Sequence, residues 1–327
     1  MGTSTSMTSR SINWTHPVAC LLVAVTAVLL SFGALVTTYE AAMAVPDWPA
    51  TYGHNMFLFP LGEWLGGPWD LFLEHGHRLL GALTGIVTLA LAACAARSAA
   101  SPAVRWLVVA AVALVILQGA LGGARVLLDD KTVAKVHACT GPLFFAVAVA
   151  IATLTSRGAD GGPRAVASRA PVLLLVASYL QLVAGAQLRH LDAGVEPATF
   201  HGLVGLHILG AVAVTVLAAV SVAAINTDGP AAARRWALGI AGLVAVQLVL
   251  GAGAWVANWG VPGDLVPEAW MPAQPLVARS VWSAAVVTGH VVLGMMILGA
   301  SVVLAIEAGG LRGHARPTTV APGRAFA

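Results

Sequence analysis

The chain has 327 residues, 58% of them hydrophobic and only 9% charged, with a mean hydropathy of +0.86. Soluble domains carry about 25% charged residues, so a water-soluble globule is excluded and a bilayer must be the solvent. The formal net charge of +3 gives no reason to expect a nucleic-acid partner, and the placement of the charges is more informative than their sum.

In chain order, a polar, Ser/Thr-rich tail (1–17) precedes a first apolar run, 18–39. That run is too long for the core of a signal peptide and predicts a retained span. Seven further runs approach the about 20 residues that a bilayer requires: 77–96, 104–126, 136–155, 171–189, 202–225, 237–257 and 282–306. The chain is therefore expected to be all-α, an integral membrane protein of eight spans. Lys and Arg divide unevenly between the two sets of connections. Eleven lie in the termini and the loops after spans two, four and six, against six in the other set. By the positive-inside rule both termini are cytoplasmic, and the Trp-, Pro- and Gly-rich loops 40–76 and 258–281 lie outside as caps.

Spans one to four resemble spans five to eight. Gly33-Ala-Leu-Val-Thr-Thr-Tyr-Glu40-Ala parallels Gly185-Ala-Gln-Leu-Arg-His-Leu-Asp192-Ala, and His77-Arg-Leu-Leu-Gly-Ala parallels His207-Ile-Leu-Gly-Ala. Gln118 and Gly122 parallel Gln247 and Gly251, and His137 parallels His290. An even number of spans per repeat gives both halves the same orientation. The expected architecture is two pseudo-symmetric four-helix bundles, 18–155 and 171–306, joined by a cytoplasmic linker, 156–170, and followed by a cytoplasmic tail, 307–327.

Ionisable groups inside a bilayer are costly and mark functional sites. His16 and His314 fall in the tails, and His54, His75 and His190 in outer loops or at span edges. His201 begins span six and faces about 120° away from His207 at about 100° per residue. His77, His137, His207 and His290 remain, one on each even-numbered span and all toward the outer leaflet. Facing helices of a bundle can supply two axial imidazoles to a haem iron, and the repeat pairs His77 with His137 and His207 with His290. The three cysteines, Cys20, Cys94 and Cys139, form no C-x-x-C-H motif, so such a haem would be held non-covalently. Glu74 lies three residues before His77 and shares its helix face, where it could act as a base or stabilise developing positive charge. The second repeat has Val204 at that position, which makes the first half the reactive one. Arg78 could pair with a haem propionate or reach to the interface.

These residues resemble the haem A synthase family. Glu74, His77 and Arg78 meet its E-x-x-H-R pattern. Val45-Pro46-Asp47-Trp48-Pro49 with Tyr52-Gly53 matches its first outer loop, and the Gln118-Gly-Ala-Leu-Gly-Gly run and the later histidines also agree. The resemblance implies oxidation of the C8 methyl of haem O to the formyl of haem A for cytochrome oxidase assembly in the inner (plasma) membrane. It implies a substrate site at His77 and His137, a haem b at His207 and His290, and Glu74 as the catalytic acid. Haem O synthase and cytochrome oxidase assembly factors are the implied partners. Many bacterial members carry a cysteine pair in the first outer loop, and 45–52 has none. The rival reading is a di-haem b-type electron-transfer cytochrome, which needs the same four histidines but not Glu74. A repeat-fold transporter would instead show polar groups away from the histidine end of the spans.

Overall fold

Helix ends in the computed structural model fall at residues whose side chains or dihedral limits stop a helix. The structure describes residues 14–156, 166, 168–191, 194–225, 229–260 and 280–309. Among them are α1 (Thr15–Thr38), α2 (Leu61–Leu65), α3 (Trp69–Arg97), α4 (Pro102–Leu128), α5 (Lys131–Thr155), α6 (Ala170–Arg189), α7 (Pro197–Ile225), α8 (Ala231–Trp259) and α9 (Val281–Glu307). A two-stranded antiparallel hairpin, β1 (Ala50–Thr51) with β2 (His54–Asn55), lies in the α1–α3 loop. Ser101 Oγ accepts the Val104 amide and Pro102 opens α4, the arrangement favoured at a helix start. At the α4–α5 corner Asp129 takes a left-handed conformation (φ 46°), and the Asp130 carboxylate accepts the Val133 amide at 2.9 Å. The adjacent acids Asp129 and Asp130 are therefore a helix stop and a helix cap.

All helices except α2 are long and apolar enough to cross a bilayer, so this is a multi-pass helical membrane protein. They correspond one to one with the eight expected spans, but several extend beyond the hydropathic limits. Helix α3 begins at Trp69 rather than 77, α5 at Lys131 rather than 136, and α7 at Pro197 rather than 202. Polar residues interrupt the hydropathy there without ending the helix, because backbone bonding continues wherever the side chains find partners. His16, expected in the tail, lies inside α1, with Nδ1 3.1 Å from the Ala152 carbonyl of α5. Nearly all of the loop expected at 258–281, most of both tails with His314, and much of the linker lie outside the described residues.

Helix α1 packs on α3 and α5, and α4 packs on the same two; α6 packs on α7 and α9, and α8 on the same two. Each set of four encloses an apolar core. One is built on Leu22, Leu91, Phe144 and Ile151, the other on Leu174, Val214, Ile240 and Leu304. The sets meet where α9 lies on α5 and α1, and Phe145, Val149, Val302 and Ile306 form that seam. The outward faces carry large apolar side chains such as Ile86, Ile116, Leu209 and Val249, all at least 60% exposed, as lipid-facing helices do.

Candidate functional site

The functional geometry starts from four glycines. An added Cβ at Gly33 of α1 would lie 3.0 Å from Cε1 of His77 on α3, and at Gly122 of α4 it would lie 3.3 Å from Cε1 of His137 on α5. At Gly185 of α6 the corresponding distance to His207 of α7 is 3.2 Å, and at Gly251 of α8 it is 3.0 Å to His290 of α9. Each imidazole thus rests directly on the backbone of a neighbouring helix, an approach that only glycine allows without displacing the ring. Four residues before the glycine, on the same helix face, stands Gln118, Gln181 or Gln247. Their Nε2 groups donate to the backbone carbonyls of His137 (3.4 Å), His207 (2.9 Å) and His290 (2.9 Å). Helix α1 has Leu29 at that position. The recurring Gln-x-x-x-Gly is therefore a seat for the ring and a grip on the carbonyl behind it.

The seats bring the four histidines together in the expected couples. The His77 and His137 ring centroids are 6.5 Å apart with planes at 86°, and those of His207 and His290 are 6.2 Å apart at 67°. Among the described residues Nδ1 of His77, His137 and His290 is buried with no hydrogen bond of good geometry, although backbone groups of Leu29, Gln118 and Gln247 lie near the three rings. None of the four rings is fully enclosed by side chains. Among the described residues no cluster of three or more His, Cys, Asp or Glu could hold a bare metal ion. A two-imidazole site suits a metal that brings its equatorial ligands with it, as a porphyrin iron does. In each couple the two rings come from different helices and stand 6.5 or 6.2 Å apart, so both could be offered to one group of that kind. The residues present therefore fit a haem held between each couple.

His201, by contrast, is exposed and leans on Phe200 with centroids 5.7 Å apart. His75 is buried beneath the α1–α3 loop, where its Nδ1 lies 3.0 Å from Thr51 Oγ1.

Glu74 and Arg78 form a buried pair that also holds the first outer loop. Glu74 is 2% exposed; its Oε1 accepts from Arg78 Nη2 at 2.8 Å and its Oε2 accepts the Val45 amide at 2.9 Å. Arg78 also donates to the carbonyls of Val45 (2.7 Å), Asp47 (2.6 Å) and Ala50 (2.9 Å). The guanidinium thus binds the α1–α3 loop onto α3. Asp47 completes the loop by accepting the Tyr52 and Gly53 amides at 2.9 and 2.7 Å, both residues having positive φ. Burial alone would raise the Asp47 carboxyl, but the Gly53 and Tyr52 amides, its own amide and the Arg78 charge together hold it below the ordinary carboxylate value. The Trp48 ring lies flat on Gly123 of α4, next to the seat of His137; a Cβ there would be 2.5 Å from the ring. The loop that lacks the cysteine pair is thus fastened by an arginine fork, an aspartate-bound turn and a tryptophan.

Two residues missed in the sequence stand close to the couples. Arg125, three residues after Gly122, lies within electrostatic reach of His77 and His137 and donates to the Ala42 carbonyl at 3.1 Å. Arg189, four residues after Gly185, lies within reach of His290. Their spacing from the glycines was a usable signal, but it acquires meaning only once those glycines are known to seat histidines.

Fold and site define a multi-pass helical membrane protein that presents two couples of facing imidazoles. Residues 69–201 match the family described as Cytochrome oxidase assembly protein (COX15-CtaA), a stretch that holds the first couple and ends before the second. The chain is 27% identical over 179 residues to the Heme A synthase of Shouchella clausii (strain KSM-K16), a match covering 51% of this chain and 56% of that relative. The match thus spans about half the length of the relative. Both likenesses are to proteins of haem A synthesis and cytochrome oxidase assembly, and each covers only part of the chain.

Proposed function

We propose that the chain is a haem A synthase-like oxidoreductase that converts the C8 methyl of haem O to a formyl group, supplying haem A to cytochrome oxidase; the net change adds one oxygen atom from water and passes four electrons and four protons to an external electron acceptor. The observation that carries this reading is the pair of imidazole couples, 6.5 and 6.2 Å between centroids, with Nδ1 atoms in both that make no hydrogen bond of good geometry among the described residues. His77 and His137 would hold the substrate haem O, and His207 and His290 a resident haem b. When bound, the haem b supplies one-electron redox chemistry at its iron.

The chain's own residues orient and exclude. Gly33 and Gly122 fix where the substrate-side imidazoles stand, and Trp48 and the loop clamp close that end of the bundle against water. Glu74 is the acid we assign to the reaction. Its carboxylate sits one helical turn from His77 and is held in one orientation by Arg78 and the Val45 amide, so it can stabilise positive charge that develops beside it without first reorganising. The surplus of Lys and Arg in one set of connections supports an inner-membrane orientation with both termini cytoplasmic.

The test is extraction and chromatography of haems from cells that co-express the full chain with a source of haem O. A new formyl haem, lost in Glu74→Gln while haem remains bound, is the expected result. Bound haem that exchanges electrons with no formyl product would instead establish an electron-transfer cytochrome, the reading that leaves Glu74 only its loop contacts.

A further inference from the structure

Arg189 ends α6 at the seam between the two helix sets. Its Nη2 donates to the Ala34 carbonyl (3.1 Å) and to Thr38 Oγ1 (3.0 Å) of α1, and Thr38 Oγ1 lies 3.1 Å from Thr288 Oγ1 of α9. Its Nη1 is buried and has no hydrogen-bond partner among the described residues. Among the described residues no carboxylate lies within salt-bridge distance of this guanidinium. A buried cation without a counter-anion is costly, and such groups are normally paired. The surroundings make the imbalance greater. His190 beside it is pushed down to about 4, first by burial and then by the positive charges of Arg189, Arg125 and Lys135. The protein has gathered positive charge here and the described residues supply no acid to balance it.

The position indicates where the missing anion belongs. Arg189 follows Gly185 by four residues, so the two share a face of α6 about 6 Å apart along the axis. Gly185 is the seat of the His207 ring, and the Arg189 charge reaches His290. The free donor thus stands one turn from the second imidazole couple, held by its other nitrogen so that the fork cannot turn away. A haem carries carboxylates on its periphery, and the planar guanidinium fork is the side chain best matched to a carboxylate.

We infer that Arg189 anchors a carboxylate of the group held between His207 and His290, the task that the sequence suggested for Arg78. This rests on the reading of that couple as a haem site.

The experiment uses the full chain in detergent with His77→Ala and His137→Ala, so that only the second couple binds. The protein is titrated with iron protoporphyrin and with its dimethyl ester, followed by the Soret band. With Arg189 present the free acid should bind about tenfold or more tightly than the ester. Arg189→Gln should bring the two probes to nearly equal affinity, and Arg189→Lys should retain part of the preference. Thr38→Val, which removes a structural partner of Arg189 but no donor to the ligand, should leave the preference intact. An unchanged preference in Arg189→Gln, with the bis-imidazole spectrum preserved, overturns the inference while leaving the haem site standing. Equal affinities with Arg189 present overturn it too, and would assign the charge to a small anion. Absence of a bis-imidazole spectrum in the parent protein removes the haem site itself.

Discussion

At the scale of single residues, the site is governed by contact between a ring and a backbone. Gly33 and Gly251 leave 3.0 Å between a would-be Cβ and the imidazole, and Gly122 leaves 3.3 Å. Overpacking of this kind costs about 1–3 kcal/mol. Gly251→Ala should therefore lower the thermal midpoint and displace His290, weakening haem binding at the second couple, with Gly122→Ala giving the smaller effect at the first. Soret titration and thermal unfolding of the two variants check the order. Gln247 acts through a neutral hydrogen bond of 2.9 Å to the His290 carbonyl, worth about 1 kcal/mol. Gln247→Leu should cost about that much stability and loosen the ring's orientation, visible as broadened bis-imidazole electron-spin signals. Were the thermal midpoint and the spectrum both unaltered, the grip would have no energetic content. Leu29 stands where a fourth glutamine would be, so the His77 carbonyl has no glutamine grip from α1.

Among the elements, the α1–α3 loop depends most on side-chain chemistry, because its two strands are only two residues each. Its fastening is the buried Glu74–Arg78 pair, 2% and 8% exposed at the side chain. Removing one member of a buried pair strands the other and costs about 3–5 kcal/mol. Arg78→Met should thus free residues 45–53 to exchange their amide hydrogens, and Arg78→Lys should rescue little, since a point charge cannot reach three carbonyls and a carboxylate together. Hydrogen exchange over 45–53 in the two variants is the measurement. The Asp47 turn adds a dependence on pH. Its carboxyl is held below the ordinary value of 3.8, so its contribution is complete above that value and is lost as pH falls through the lower folded-state value. Protection of the Tyr52 and Gly53 amides should accordingly decline only in that acid range, and Asp47→Asn should abolish the dependence.

Considered as a whole molecule, the two helix sets meet along α9. A Cβ at Gly299 would fall 2.9 Å from Phe145 of α5, and Arg189, Thr38 and Thr288 link α6, α1 and α9 nearby. The seam is therefore both close-packed and polar at one end. Gly299→Leu should separate the sets locally and lower the thermal midpoint by more than the same change at Gly239, which has open space beside it. Because Arg189 belongs to one set and donates to the other, such a change should also disturb the second histidine couple, whereas one confined to the α1–α3 loop should not.

Composition and periodic apolar runs were enough to determine eight membrane spans, and the ordered recurrence of histidines was enough to pair them. A bilayer tolerates so few ionisable groups that those present stand out in one dimension. The motif Val45-Pro46-Asp47-Trp48-Pro49 was visible but not its purpose, since an arginine that gathers three carbonyls from a distant loop leaves no periodic trace. Helix starts at Trp69, Lys131 and Pro197 were hidden because hydropathy measures solvent preference while a helix follows its backbone bonds. Only the tertiary structure showed that Gln-x-x-x-Gly seats a ring, that Glu74 and Arg78 are engaged by the loop, and that Arg189 keeps one donor unmatched among the described residues. Each of these is a relation between helices, set by distances of about 3 Å that spacing along one chain does not encode.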